Sequence, residues 1–283
     1  MKREPSMTDG QGWARALVLF AGLAIGTLPV PGSAEEWLFL PKEPTFQALI
    51  GDPREPKNAI VVQTDQDRFE GAVGLTYEFL QWVPGDGTKW GWGLLGCSFI
   101  ELDALGGNVY PERVSDWHVG TYFSHSSGDL SHRLEYLHVS SHLGDYLFYT
   151  TLRFVYTRES FRWTTSWTPS DRIRFYGGMG YWGHIDPVDR PFYMHFGTEL
   201  YTGSFGFLAG TTARGYFTYD LKVKDEAGGA VNHALQWGLQ WKWAKDRSGA
   251  LRLGLLYYDG NSEYGQFYQT RDAHWGLAVF LDP

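Results

Sequence analysis

The chain has a single cysteine, Cys97. It can close no internal disulfide and has no second thiol for a zinc site, so it reads as a small apolar filler. Basic blocks are missing too, and the formal net charge is −8. This excludes nucleic-acid binding driven by counterion release from phosphates. The glycines lack a three-residue period, which excludes a collagen-like rod. Beyond residue 34 no stretch is long and apolar enough for a transmembrane helix, so an exported chain of this kind is either soluble or inserted as a β-barrel.

What is present points to extended structure. Of 283 residues, 43% are hydrophobic and 17% aromatic, with 13 Trp, 17 Tyr and 18 Phe beside 35 Gly. Such a composition suits one folded domain of short strands and tight turns better than a helical bundle or a disordered chain. Residues 1–34 read as a cleaved secretory signal peptide. Lys2, Arg3 and Arg15 precede an apolar run from Ala16 to Val30, and Pro31-Gly32-Ser33-Ala34 offers the small residues a signal peptidase needs. The run is shorter than the ~20 residues of a spanning helix. Residues 35–58 contain Pro41, Pro44, Pro53 and Pro56, which favour an extended periplasmic N-terminal segment, with regular structure starting near Ala59.

From residue 59 to 283 the pattern alternates with period two over twelve stretches: 59–65, 70–83, 89–99, 116–125, 131–142, 152–168, 171–182, 192–202, 214–224, 231–243, 250–259 and 272–282. The expected fold is all-β, an antiparallel transmembrane β-barrel of about 12 strands. Val73, Leu75, Tyr77 and Phe79 share one side of a strand while Gly74, Thr76 and Glu78 share the other. Trp275, Leu277, Val279 and Leu281 likewise oppose His274, Gly276 and Ala278. A soluble sandwich would alternate in the same way. Arginines within strands favour the barrel, because they are tolerable where they project into a polar lumen. Trp82, Trp90, Trp117, Trp182, Trp237 and Trp243 suit interfacial girdles. With the N-terminus in the periplasm, the longer connections 100–115, 143–151, 183–191, 225–230 and 260–271 face outward; the connection 203–213 is long for an inward turn.

Three strings carry a family resemblance: Ala48-Leu49-Ile50-Gly51-Asp52-Pro53-Arg54-Glu55-Pro56, Ser140-Ser141-His142-Leu143-Gly144-Asp145, and Tyr258-Asp259-Gly260-Asn261-Ser262-Glu263-Tyr264-Gly265-Gln266-Phe267. In them the chain resembles the bacterial family known as domain of unknown function 1207. The resemblance implies an exported Gram-negative protein of outer-membrane character and brings no catalytic residue with it. Localisation in the bacterial outer membrane follows as an expectation, with outer-membrane lipids and the barrel assembly machinery as partners. The end in Asp282-Pro283 departs from the usual aromatic barrel terminus.

Three constellations could carry chemistry. On a strand, residues two apart point the same way, which sets His138 beside Ser140, with Leu134 and Tyr136 on the same face. The pair is similar to the His-x-Ser arrangement of outer-membrane phospholipase A and lipid A deacylases, and Glu159, opposite His138 in a symmetric hairpin, would complete a triad with Ser140. Ser141-His142 stands where those enzymes have Asn-Gly or Asn-Ala. The alternative reading is a polar strand end whose His142 and Asp145 hold the following loop. Asp259, Asn261 and Glu263 offer alternate oxygen ligands for calcium but lack the glycine and helices of a calcium loop. No metal site or other cofactor is expected, since His138 and His142 lie about 13 Å apart on an extended strand. Arg158, Arg162, Arg172 and Arg174 are expected to line the lumen, either as a passage for anions or paired with Glu78, Glu135 and Glu199 to plug it. The functional expectation is a structural or selectively permeable outer-membrane barrel, with an acyl hydrolase as the alternative.

Overall fold

The computed structural model describes residues 35–106, 109–147, 155–186, 190–206, 212–242 and 249–282. The expected signal peptide (residues 1–34), Trp243 and the hairpin tip expected at Phe148 and Tyr149 lie outside the described residues. The strands are β1 (Glu36–Phe39), β2 (Asn58–Gln63), β3 (Arg68–Val83), β4 (Thr88–Asp103), β5 (Glu112–Ser127), β6 (Leu130–Leu143), β7 (Tyr156–Ser170), β8 (Ile173–Asp186), β9 (Phe192–Tyr201), β10 (Phe205–Gly206), β11 (Thr212–Lys224), β12 (Ala230–Lys242), β13 (Ala250–Asn261) and β14 (Arg271–Asp282). Twelve of them pair antiparallel around a ring that closes through β14 with β2, β2 with β3 and β3 with β4. Every alternating stretch read from the sequence is one of these strands. The two short extras are β1, which pairs with Leu80–Val83, and β10, which pairs with β11 inside the connection that is long for a turn.

Burial runs opposite to that of a soluble protein. Val73 is 72% exposed, Val119 63%, Met179 57% and Leu277 55%, while Arg133, Thr164, Ser166, His195 and Thr218 are fully buried. On the barrel strands the apolar side faces out, and the inward side is largely polar apart from one apolar patch around Val61, Cys97, Phe99, Val114 and Phe280. A soluble chain rarely exposes more than a few hundred Å² of contiguous apolar surface, whereas this belt runs round the whole ring, the pattern of a barrel in hydrocarbon. Both ends of the barrel chain, Asn58 and Leu281, meet at one rim. The turns between β3 and β4, β5 and β6, and β7 and β8 share that rim and are short, and the longer loops occupy the other.

Of the girdle tryptophans, Trp90 faces outward near the short-turn rim and Trp117 near the loop rim. Trp182 is buried in the lumen under Arg158, and Trp237 sits in mid-strand, edge-on to Trp275. Period-two reading places a residue on a face but not at a height, and Trp182 falls on the inward parity of β8.

The first wall position is split. β1 and β2 lie along the same edge of β3, and between them the chain leaves the wall and enters the barrel. Leu40 marks the exit. Its N–H bonds to the Phe79 carbonyl at 3.1 Å, and its φ of 55° is the one left-handed non-glycine value among the described residues. That conformation costs an L-residue about 1–2 kcal/mol. The Pro-rich segment therefore does not hang free before the barrel: Phe46 and Leu49 are buried at its centre. Its prolines explain why no strand forms there, and its charges explain where it goes.

Candidate functional site

Residues 41–57 form a plug built from two tight turns. Asp52 N–H bonds to Leu49 O at 3.1 Å and Glu55 N–H to Asp52 O at 3.2 Å, while Asp52 Oδ1 accepts from Arg54 N–H at 2.8 Å. Gly51 is required where the plug meets the wall, because an added Cβ would stand 2.9 Å from the Tyr176 hydroxyl and 3.2 Å from Thr218 Cβ.

Charge holds this segment in place. Glu55 takes the Arg133 guanidinium in a two-pronged pair, both contacts at 2.7 Å, at the fully buried Arg133. Asp52 lies between Arg162 Nη1 at 2.8 Å and Lys222 Nζ at 2.6 Å. Arg174 donates to the carbonyls of Gln47 and Ala48, each at 2.7 Å, and Glu199 accepts from Ile50 N–H at 2.9 Å. Glu78 accepts from Thr45 N–H and hydroxyl at 3.1 and 2.8 Å. Phe46 sits beneath Arg133 and Arg174, 4.6 and 5.2 Å from ring centre to guanidinium carbon. Burial pushes the Asp52 carboxyl up, but Lys222 and Arg162 outweigh it and hold the group well below the usual carboxylate range.

A lid from the loop rim meets the plug. Glu263 reaches inward to Lys224 at 3.0 Å and Lys222 at 3.5 Å and accepts from Asn232 Nδ2 at 2.9 Å. Burial raises its pKa, and the two lysines overcome that and lower it. Tyr264 stacks on the Arg54 guanidinium at 4.1 Å, with Phe99 on the other side at 4.6 Å. Gly265 N–H donates to Asp116 at 3.1 Å, and Gln266 donates through its backbone to Ser141 Oγ at 3.1 Å and through its side chain to Ser141 O at 2.9 Å. The lid closes tightly only because residue 265 is glycine, since a Cβ there would be 2.2 Å from the Tyr156 ring. The three motif strings, more than a hundred residues apart at their extremes, thus meet in one place: Asp52 and Arg54 from the first, Ser141 from the second, Glu263 to Gln266 from the third.

Arg162 pairs with Glu135, and Arg174 with Glu199 at 3.5 Å. Arg158 goes to Glu226 at 3.2 Å, below the loop between β11 and β12. Arg172 is exposed in the turn between β7 and β8, because it stands at the strand boundary. Arg133 and Lys222, the plug's strongest wall partners, were not singled out by sequence, although Arg133 shares the inward parity of Glu135 on β6.

The outward cluster forms, with different pairings from those expected. Glu159 does lie opposite His138, and His138 Nδ1 is 2.7 Å from its carboxylate; Tyr136 donates to the same group. Ser140 Oγ, however, meets His142 Nε2 at 2.8 Å. All five side chains face outward, with His142 and Ser140 nearest the loop rim and Tyr136 at mid-strand. Asp145 is exposed in the 3-10 turn Asp145–Leu147. The calcium candidates diverge: Asp259 pairs with Arg271, Asn261 bonds through its backbone to Asn232, and Glu263 points into the lumen. Among the described residues no group of three or more His, Cys, Asp or Glu gathers to hold a metal.

No curated protein matches the chain. Among solved structures, OmpT of Vibrio cholerae, expressed in the outer membrane, is 9% identical, with a TM-score of 0.38 over 83% of this chain and 99% of that one. In-vitro folded OmpT of Vibrio cholerae in trimer form is 10% identical, with a TM-score of 0.35 over 80% and 95%. The chain belongs to the family described as protein of unknown function (DUF1207), whose model matches residues 27–281.

Proposed function

We propose that this protein sits in the bacterial outer membrane as a passage for small polar solutes, held shut at rest by its own N-terminal segment. The short-turn rim then faces the periplasm and the lid faces outward, with outer-membrane lipids covering the apolar belt and the barrel assembly machinery inserting the chain. One observation carries the reading: beside the small apolar contact of Phe46 and Leu49, the plug is fixed by Asp52 and Glu55 against Arg133, Arg162 and Lys222. Twelve strands enclose more space than eight, whose interior wall side chains fill, and less than the open channel of sixteen. Here a length of the same chain supplies the filling. Polar seals of this kind exchange their partners for water when they open, so they release more readily than packed hydrocarbon.

Planar-bilayer recording tests this. The wild-type chain should be nearly silent, and a chain carrying Asp52→Asn and Glu55→Gln should show frequent openings. Equal silence in both, with the barrel folded, would leave the plug a purely structural filling.

A second reading, hydrolysis of envelope lipid acyl esters, is favoured by the outward His138–Glu159 pair and by the Ser140–His142 contact beside it. In it Ser140 is the nucleophile, and His138 or His142 the base. Lipid turnover by an active preparation and its loss in Ser140→Ala would establish it.

A further inference from the structure

Between plug and lid lies a cavity of about 50 Å³, bordered by Arg54 and Lys57 of the plug, Tyr264 of the lid, and Glu70, Gln236 and His274 of the wall. That is space for about three to five waters or one small ion of similar bulk, at roughly 10–15 Å³ of such volume per water. The side chain of Arg54 is 91% buried, yet none of its three guanidinium nitrogens has a hydrogen-bond acceptor among the described residues. Its nearest carboxylate, Asp116, is 3.6 Å away and already accepts from Ser141 and Gly265. Lys57 has no ion pair among the described residues, and its ammonium donates to Pro53 O at 2.7 Å. Its neighbours are the rings of Phe99 and Phe280, 5.6 and 5.9 Å away. Burial pushes the Lys57 ammonium down, Glu70 pulls it back, and Arg54 pushes the same way as burial. Glu263 and Asp272 also border the space, but Glu263 is satisfied by Lys222, Lys224 and Asn232, and Asp272 by His274 and Gln66. The groups left with unused capacity are therefore two cations, the Tyr264 hydroxyl and one carboxylate, Glu70.

We propose that this cavity binds one small oxyanion, a carboxylate or a phosphate, between Arg54 and Lys57. A guanidinium offers paired N–H donors that match two oxygens of either group, and an anion removes the cost of two neighbouring buried cations. Such a ligand touches plug and lid together, so its binding holds both in place. The proposal is independent of whether the barrel conducts.

The test is calorimetric titration of the detergent-purified full chain with acetate and, separately, with phosphate at constant ionic strength. Saturable binding of one anion per chain is expected, weakened about tenfold or more in Arg54→Gln and in Lys57→Gln and strengthened in Glu70→Gln. The stronger of the two anions identifies the source. In parallel, the bound anion should slow thiol labelling of Cys97, whose Sγ lies 3.7 Å from the Lys57 carbonyl. No saturable heat with either anion, or binding unchanged in both cation variants, would overturn the proposal. The Lys57 variant and the heat readout keep it testable if Arg54→Gln fails to fold or if the plug never moves.

Discussion

The plug can be followed with a reporter the chain already contains. Cys97 is the only thiol, it points into the lumen, it is 4% exposed, and the plug backbone at Lys57 covers it. Withdrawing residues 41–57 would uncover it. Asp52→Asn removes the charge from a carboxylate held by Arg162 at 2.8 Å and Lys222 at 2.6 Å. Breaking a buried ion pair from one side costs ~3–5 kcal/mol. Here each cation keeps a second partner, Glu135 for Arg162 and Glu263 for Lys222, so the lower bound of about 3 kcal/mol is the appropriate figure. At ~1.4 kcal/mol per factor of ten, the displaced-plug population should rise by about a hundredfold. The labelling rate of Cys97 by a small maleimide, in the regime where closing is faster than reaction, should rise by the same factor. Adding Glu55→Gln should give less than the product of the two single effects, because Asp52 and Glu55 share Arg162. A Cys97 rate in Asp52→Asn within twofold of wild type, with the folded barrel intact, would refute the claim that these charges hold the plug.

The other predictions concern pH, the lid, the outward cluster and the barrel itself. Asp52 and Glu263 have depressed pKa values, so their contribution to closure is complete above the ordinary carboxylate range and is lost as pH falls through their lower folded values; bilayer conductance should stay flat from pH 7 to about 4 and rise below it. A rise already at pH 6 would contradict this. Gly265→Val should lift the lid from Tyr156 and speed solvent exchange of the Asp116 and Ser141 region, read by hydrogen exchange, while Gly206→Val, in β10 with open space around it, should leave that region unchanged. Under the passage reading, Ser140→Ala leaves conductance and Cys97 labelling unaltered; a changed lipid turnover in the same variant would instead support the hydrolase. Unheated protein should migrate differently from boiled protein in detergent gels, and the folded form should require detergent, because residues such as Val73, Val119 and Leu277 face outward.

The wall of this barrel was legible because each strand repeats a two-residue rule many times, and one misplaced residue cannot hide it. Val73, Leu75 and Tyr77 against Glu78, or Trp275 and Leu277 against His274, fix both strand and face from the sequence. The plug was not legible for the opposite reason. Pro41, Pro44, Pro53 and Pro56 correctly forbid pairing, but a segment without periodicity has no face, so nothing local says that it turns inward. The one local hint was chemical: Asp52, Arg54, Glu55 and Lys57 are four charges of both signs within six residues of a proline-rich stretch, a pattern that an exposed loop shares. The same limit explains the outward cluster. Strand register placed Glu159 opposite His138, whereas side-chain torsions, which register does not determine, turned Ser140 toward His142.

The arrangement of charges also bears on why the seal is ionic. An apolar plug would bury as well, and one patch of the inward face, around Val61, Phe99, Val114 and Phe280, would accept it, but the stretch that Asp52 and Glu55 meet is charged. Arg133, Arg162 and Lys222 would each stand without full compensation against an apolar filler, and a buried cation lacking its partner is far costlier than any methylene packing could offset. A lumen formed by twelve alternating strands therefore selects a plug of matching charge, and matched charge in turn makes closure dependent on a few named carboxylates. If the plug is instead exchanged for one of equal length in which Asp52, Arg54, Glu55 and Lys57 are all leucine, the barrel should still form, yet Cys97 should label at the rate of a chain with no plug at all. Protection of Cys97 by that apolar segment would show that volume, not charge, closes the lumen.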